Sequence, residues 1–177
     1  MISKLYAEAF KSALTIGSGL TVVILQLGIM GISEIISYSL EKREGSVHAL
    51  NEGKELTGSM PMTKNLPKFT VAGEKIEPKI NLYSSEGKEI KTYTYILGNK
   101  KDVWFHSYFG IPDNGVFESE FKIIVDGQEK ALLNEQYNQE AEALNWPLDK
   151  INEITIIVSG NAKLWDVGIS EMKHWWE

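Results

Sequence analysis

The chain has 177 residues, of which 43% are hydrophobic and 24% charged, a balance typical of a folded protein. Its formal net charge of -6 argues against nucleic acid as a partner, because phosphate binding needs a basic face. The absence of cysteine excludes disulfides, thiolate metal sites and a cysteine nucleophile.

The first predicted element is a transmembrane helix over residues 12–33. This stretch contains no ionisable residue, and its length matches the roughly 20 residues needed to cross a bilayer. Its glycines would weaken a water-soluble helix but are common in membrane helices. The run 35–40 is expected to continue the helix beyond the bilayer. A signal peptide, an interfacial helix and a buried helix of a larger complex are the alternatives.

Small residues recur at four-residue spacing along the start of this segment, at Ala9, Ala13 and Gly17. Such a stripe lets helices approach closely, so it predicts a helix-packing surface. The alternative is that small residues are simply frequent in membrane helices. We expect a single-pass membrane protein whose following domain is extracytoplasmic.

The domain organisation follows from changes of composition along the chain. Residues 1–43 form the N-terminal segment, residues 44–67 are predicted to be a linker, and residues 68–177 form a β domain. The linker is rich in Gly, Ser, Asn, Pro and Met without clear periodicity.

After residue 67, short β-rich runs alternate with turn signals, which predicts an all-β sandwich. The predicted strands are 68–72, 79–83, 89–97, 102–110, 116–126, 128–133, 140–146, 153–159 and 163–170. Asp126-Gly127 is a two-residue hairpin signal. In the run 102–110, alternation places Trp104, His106 and Tyr108 on one face.

Three segments carry a resemblance to a known family. They are YILGNKKDVWFHSYFGIPDNG (residues 95–115), VFESEFKIIVDGQEKALL and INEITIIVSGNAKLWDVGIS. In order and spacing they resemble the NPCBM-type carbohydrate-binding module, a jelly-roll-like antiparallel β-sandwich related to the galactose-binding-like fold. The resemblance covers residues 93–170. The family's final strand usually holds a histidine, two aspartates and a tryptophan, of which Trp165 and Asp166 remain here.

The resemblance implies glycan binding, in which sugars stack on aromatic rings while polar groups hold their hydroxyls. The candidate glycan-binding residues are Trp104, His106, Tyr108, Asp113, Trp165 and Asp166. The alternative is that the aromatic residues are core, above all Trp165. Many galactose-binding-like domains hold a structural calcium, for which Asp113, Asn114 and Asp126 are candidates; no other cofactor or metal is expected.

Trp175 and Trp176 stand outside these motifs. They pack over the sandwich, contact a neighbour or lie at a membrane interface, and the sequence leaves these alternatives open.

No catalytic motif occurs, and the three histidines have no metal-ligand spacing. Glu118 and Glu120 share a strand face, about 7 Å apart by strand geometry, and are expected to be solvated. The function predicted first is a non-enzymatic structural or accessory subunit of a membrane assembly, with the bilayer and other subunits or a second copy as partners. The first alternative is a membrane-anchored carbohydrate-binding module, and the second is a glycan-processing enzyme.

Overall fold

A computed structural model describes residues 32, 36–38, 40–52, 54–115, 118–135 and 140–177. The chain divides into two compact units, one of residues Met1–Lys42 with His174–Glu177 and one of residues Arg43–Lys173. The second unit is the β domain and contains all the strands described below.

The strands are β1 (Arg43–Glu44), β2 (His48–Ala49), β3 (Lys54–Gly58), β4 (Phe69–Val71), β5 (Glu74–Ile76), β6 (Leu82–Ser84), β7 (Ile90–Gly110), β8 (Ser119–Val125), β9 (Gln128–Glu135), β10 (Glu142–Ser159) and β11 (Lys163–Lys173). A 3-10 turn, Leu50–Glu52, joins β2 to β3. All strand pairing is antiparallel. The order in the main sheet is β1-β11-β7-β10-β8-β9, with β2 and β6 beside β11 and β3 beside β7, while β4 and β5 form a separate hairpin.

Two long strands, β7 and β10, hold the domain together. They pair from Glu142 with Phe109 to Ser159 with Ile90, and the register shifts between Pro147 and Glu153. One half of β7 pairs with β3 and the other half with β11. The paired strands therefore curl, as in a jelly roll.

The sequence predicted two separate strands where the structure has β7, and two more where it has β10. Gly98 and Asn99, predicted to end a strand, instead have positive φ inside β7, as does Asp102. Left-handed residues within a ladder are typical of bulges, which bend a strand without ending it. Turn-forming residues therefore mark a bend here.

The core is built on the inward-facing positions of these strands. Phe121 is fully buried and lies between Phe105, Phe109 and Trp146, with ring centroids 5.9–6.3 Å apart. Stacked aromatic pairs of this kind contribute about 0.5–1.5 kcal/mol each beyond their burial. The all-β class is confirmed.

The predicted linker over 44–67 is wrong. Strands β1, β2 and β3 lie within or at the edge of this range and pair with β11 and β7. Strands of two residues are too short to give a periodic pattern, so composition alone suggested a connection. The β domain therefore begins at Arg43.

In the N-terminal unit, residues 32, 36–38 and 40 are helical, and the Glu41 amide donates to the Ser37 carbonyl at 3.0 Å. The helical residues 36–38 and 40 lie in the run 35–40, which was predicted to be helical to about Glu41. Within the part of the chain that the structure describes, no helix is long and apolar enough to span a bilayer. The predicted span over 12–33 lies outside the described residues except for Ile32, and Ala9, Ala13 and Gly17 lie outside them entirely.

Candidate functional site

The candidate site is the solvent-side surface of β7, here called the outer face, which carries Trp104, His106 and Tyr108. As the alternation predicted, their neighbours Val103, Phe105, Ser107 and Phe109 are buried on the opposite side. The strand register brings Asn145 of β10 and Gly168 of β11 alongside His106. The outer face is therefore a three-strand surface with His106 at its centre.

Tyr108 supplies an aromatic platform. Its side chain is 46% exposed, and its ring stacks on Trp165 with centroids 5.8 Å apart and planes 15° apart. Trp165 is only 4% exposed and contacts Phe69 edge-on at 5.3 Å. A glycan-binding tryptophan needs an exposed ring face, and the Trp165 ring is instead packed against Phe69 and Tyr108. It fixes the Tyr108 ring from beneath.

His106 is held by partners on both sides of its ring. Its Nδ1 lies 2.8 Å from Asn145 Oδ1, and its Nε2 lies 2.7 Å from Ser170 Oγ and 3.0 Å from Glu44 Oε1. Ser170 is fully buried and donates to Glu44 at 3.0 Å. The Asn145, Ser170 and Glu44 side chains therefore fix the orientation of the imidazole on the outer face.

Trp104 lies further along the outer face and is half-buried. The register places it opposite Ser170 on β11 and Pro147 on β10. Pro147 is exposed. Tyr108, His106 and Trp104 thus form a row of ring surfaces along β7.

Asp166 holds a bend in β11. Its φ is +54°, and its Oδ1 accepts the backbone amides of Lys79 and Ile80, both at 2.8 Å. The adjacent Val167 backbone is bound by the Asn81 side chain, which donates to its carbonyl at 2.8 Å and accepts from its amide at 2.7 Å. These contacts give Asp166 a structural role, and its predicted contact with a sugar stays a prediction.

Asp113 ties the loop after β7 to the β4–β5 hairpin. Its Oδ2 accepts the Gly73 amide at 3.0 Å, and its own amide donates to the Thr70 carbonyl at 2.9 Å. Asp126, the other carboxylate considered for calcium, follows the far end of β8 and accepts the amides of Asn152 and Glu153. Asp113 and Asp126 thus each bind backbone amides, and the structural calcium considered for them stays a prediction.

Three residues of the outer face network were missed by the sequence analysis, namely Asn145, Ser170 and Glu44. Alternation along β10 puts Asn145 on the same side as Ala143 and Pro147, so its position on the outward side of the strand could have been predicted from the sequence. Glu44 was assigned to the linker, and only its pairing with Met172 brings it to the site.

A cleft of about 290 Å³ lies elsewhere in the β domain, where its lining includes Leu50, Leu97 and Ile169. Lys100 and Glu171 also line it and form an ion pair. The hydrogen bond from Lys100 lowers the pKa of the Glu171 carboxyl below its ordinary value. Among the described residues, no three His, Asp or Glu side chains converge as metal ligands.

The fold is a β-sandwich of the carbohydrate-binding-module type. The structure is similar to the CBM51 module of the Clostridium perfringens GH95 protein, solved with methyl-galactose (TM-score 0.56, 13% identity, covering 70% of this chain and 99% of that one). It is also similar to CBM51-2 with GlcNAc and the INT domains of C. perfringens ZmpB (TM-score 0.56, 16% identity, covering 73% of this chain).

A third similar structure is the M60 catalytic domain of ZmpB with its CBM51-1 and CBM51-2 domains (TM-score 0.59, 15% identity, covering 72% of this chain). The present chain spans 15% of that protein and 32% of the CBM51-2 and INT structure. No protein-family model matches the sequence, and no curated protein matches it. The predicted carbohydrate-binding-module fold is confirmed.

Proposed function

We propose that the chain is a carbohydrate-binding module held at a membrane by its N-terminal segment, and that the outer face binds the sugar. The observation that carries the proposal is the exposed Tyr108 ring, fixed on buried Trp165 and adjacent to the His106 and Asn145 pair. The CBM51-type fold supports the same function, since CBM51 modules have been solved with GlcNAc and with methyl-galactose.

The outer face has the two features that sugar recognition requires. The Tyr108 ring offers an apolar surface for the C–H face of a pyranose. Asn145 is exposed opposite His106, two residues along β7 from Tyr108, and its amide nitrogen carries two N–H donors. Because Asn145 Oδ1 and His106 Nδ1 lie 2.8 Å apart, the amide is oriented before a ligand arrives. Such preorganisation reduces the entropy lost on binding.

Methyl-galactose and GlcNAc are the first probes, titrated into the full chain by calorimetry. A fully exposed aromatic side chain presents about 150–250 Å². With Tyr108 46% exposed, a sugar on one side of the ring covers roughly 50 Å², which is worth about 1.2 kcal/mol at ~25 cal/mol/Å². Tyr108→Ala is therefore expected to weaken binding about tenfold.

Tyr38→Ala is the matched control, because Tyr38 is 58% exposed and lies outside the β domain. Asn145→Ala should also weaken binding, whereas Tyr108→Phe should retain most of it because the ring remains. Equal affinity in the Tyr108→Ala and Tyr38→Ala variants would remove the outer face as the binding site.

Membrane anchoring is supported by the uncharged stretch over residues 12–33. The test is whether the full chain floats with phospholipid vesicles and resists extraction at alkaline pH. Recovery in the soluble fraction would refute the anchor. The role as a subunit of a membrane assembly stays a prediction, for which native mass spectrometry of the detergent-extracted protein is the measurement.

A further inference from the structure

The two ring nitrogens of His106, at the centre of the outer face, have different kinds of partner. Nε2 lies 2.7 Å from Ser170 Oγ and 3.0 Å from Glu44 Oε1. Nδ1 lies 2.8 Å from Oδ1 of the Asn145 side-chain amide. Asn145 is exposed, so one end of its amide meets the imidazole while the other end is accessible to a ligand. The imidazole therefore links a carboxylate on β1 to the amide that a sugar would meet.

The partners of Nε2 require this nitrogen to carry a proton. A carboxylate only accepts hydrogen bonds, and the Ser170 hydroxyl donates its one proton to Glu44 Oε1 at 3.0 Å. An unprotonated Nε2 would direct its lone pair at the same carboxylate oxygen, 3.0 Å away. A protonated Nε2 instead donates toward both oxygens. Of the two neutral tautomers of His106, the network therefore selects the one with its proton on Nε2.

The role of Nδ1 then depends on the charge of the ring. In a charged imidazolium both nitrogens are donors, so Nδ1 donates to Asn145 Oδ1, as the structure has it, and the amide nitrogen points away from the ring. In the neutral ring Nδ1 is an acceptor, so the Asn145 amide has to turn by half a rotation to offer it an N–H. The amide oxygen then points away from the ring.

The charged partner of the imidazole comes from a single strand. Among the described residues, Glu44 of β1 is the one carboxylate that pairs with it. On β7 its neighbours along the outer face are Trp104 and the phenol of Tyr108. The strand register places uncharged residues beside it on β10 and β11, namely Ala143, Asn145, Pro147, Gly168 and Ser170. Histidine is the side chain that ordinarily changes charge between about pH 5 and 8, so this is the range in which the amide is expected to turn.

We infer that His106 determines the hydrogen-bonding specificity of the outer face, because the charge of its ring sets which end of the Asn145 amide a sugar meets. The inference rests on the proposed sugar-binding function. With the ring charged, the outer face presents N–H donors and binds a sugar group that accepts. With the ring neutral, it presents a carbonyl oxygen and binds a group that donates. A hydroxyl suits both states, whereas a group that only accepts binds less well as the pH rises.

Nuclear magnetic resonance of the nitrogen-15-labelled full chain in detergent tests the amide without any sugar. The ring nitrogen shifts of His106, assigned by comparison with His106→Gln, give its charge and tautomer from about pH 5 to 8. We expect the neutral ring to carry its proton on Nε2. Above the His106 transition, we also expect a nitrogen–nitrogen coupling across the hydrogen bond from Asn145 Nδ2 to His106 Nδ1, and none below it.

A neutral His106 with its proton on Nδ1 would overturn the inference, as would the absence of this coupling above the transition. Both results leave the proposed sugar binding intact, because they concern the protein alone.

Fluorinated sugars test the consequence for binding, because fluorine replaces a hydroxyl without its donor proton and adds no charge. Calorimetry compares methyl-galactose, or GlcNAc if it binds more tightly, with analogues in which one hydroxyl at a time is replaced. At the position that meets Asn145, fluorine is expected to weaken binding about two- to tenfold more above the His106 transition than below it, which is the effect of one hydrogen bond.

His106→Gln should remove this pH dependence, because glutamine keeps one charge state throughout. His48→Gln is the matched control and should retain it, since His48 pairs with Ile169 and lines the cleft described above. A fluorine effect that is equal at both pH values, or that stays pH-dependent in His106→Gln, would refute the inference and leave the outer face as a sugar-binding site. Failure of both sugars to bind at any pH would refute the proposed function and the inference together.

Discussion

Loss of the Asn81 side chain should lower the stability of the β domain by more than its small size suggests. The side chain is fully buried and completes the hydrogen bonding of β11 at the point where the register with β7 shifts between Trp165 and Gly168. Its amide donates to the Val167 carbonyl at 2.8 Å and its oxygen accepts from the Val167 amide at 2.7 Å. Asn81 thus replaces a missing strand partner, and we predict that Asn81→Ala destabilises the domain strongly.

The magnitude follows from the two backbone groups that lose their partner. Val167 is fully buried, and a buried polar group without a hydrogen bond costs about 1–3 kcal/mol. Two such groups predict a loss of roughly 2–6 kcal/mol, out of a total stability of about 5–15 kcal/mol for a domain. A substitution of one small side chain would therefore remove a large fraction of the folding free energy.

Urea denaturation followed by tryptophan fluorescence measures this loss as a lower midpoint with an unchanged m-value. Asn51→Ala is the control: Asn51 Oδ1 accepts from Asn81 at 2.8 Å but is only half-buried, and its removal leaves both bonds to Val167 intact. We expect the control to cost less than about 1 kcal/mol. A loss of stability below about 1 kcal/mol for Asn81→Ala would refute the prediction, because water would then be replacing the Asn81 side-chain amide. Equal losses of stability in the Asn81→Ala and Asn51→Ala variants would also refute it.

Three further predictions follow from other parts of the β domain. Phe121→Ala should cost about 3–5 kcal/mol in urea denaturation, since the ring is fully buried among three other aromatic rings; a cost below that of Phe121→Leu would contradict the packing. Asp166→Ala should lower the melting temperature, because two backbone amides lose their acceptor and alanine is disfavoured at a φ of +54°. Asp166→Asn should recover most of the stability, since asparagine tolerates this φ and keeps an acceptor oxygen. Lost sugar binding at unchanged stability would instead indicate that Asp166 contacts the ligand. Lys100 lowers the folded-state pKa of Glu171, so the pair stabilises the fold at pH values above the ordinary pKa of 4.5, and this contribution is lost as the pH falls through the lowered pKa. Lys100→Met should therefore flatten the acid side of a curve of stability against pH. An unchanged curve would exclude the pair as the source of the acid dependence.

The elements that could be predicted from the sequence are those in which local chemistry and tertiary structure require the same residues. Asp126-Gly127 predicted a two-residue hairpin, and both residues have positive φ, as a type I′ turn requires. Phe121, Ile123 and Val125 alternate with polar residues, and all three are buried in β8. Here the pattern of period two alone determines which side faces the core.

The continuous strands β7 and β10 could not be predicted in the same way. Gly98 and Asn99 favour positive φ whether a chain reverses or only bends. The difference depends on whether the partner strand continues beside them, and that partner, β10, is distant in the sequence. Likewise, β1 and β2 are strands only because β11 offers them an edge.

The candidate site shows the same division between composition and geometry. Aromatic and acidic residue types identified Tyr108, Trp165 and Asp166 together, yet Tyr108 is exposed, Asp166 is half-buried and Trp165 is buried. Trp165 supports the Tyr108 ring, and Asp166 fixes the bend of β11 immediately after Trp165. A side chain that positions another needs the same chemistry as one that touches a ligand, so residue type alone does not separate these roles. Exposure separates them: Tyr108 is exposed and Trp165 is buried, which is why the sugar-binding surface proposed above is built on Tyr108.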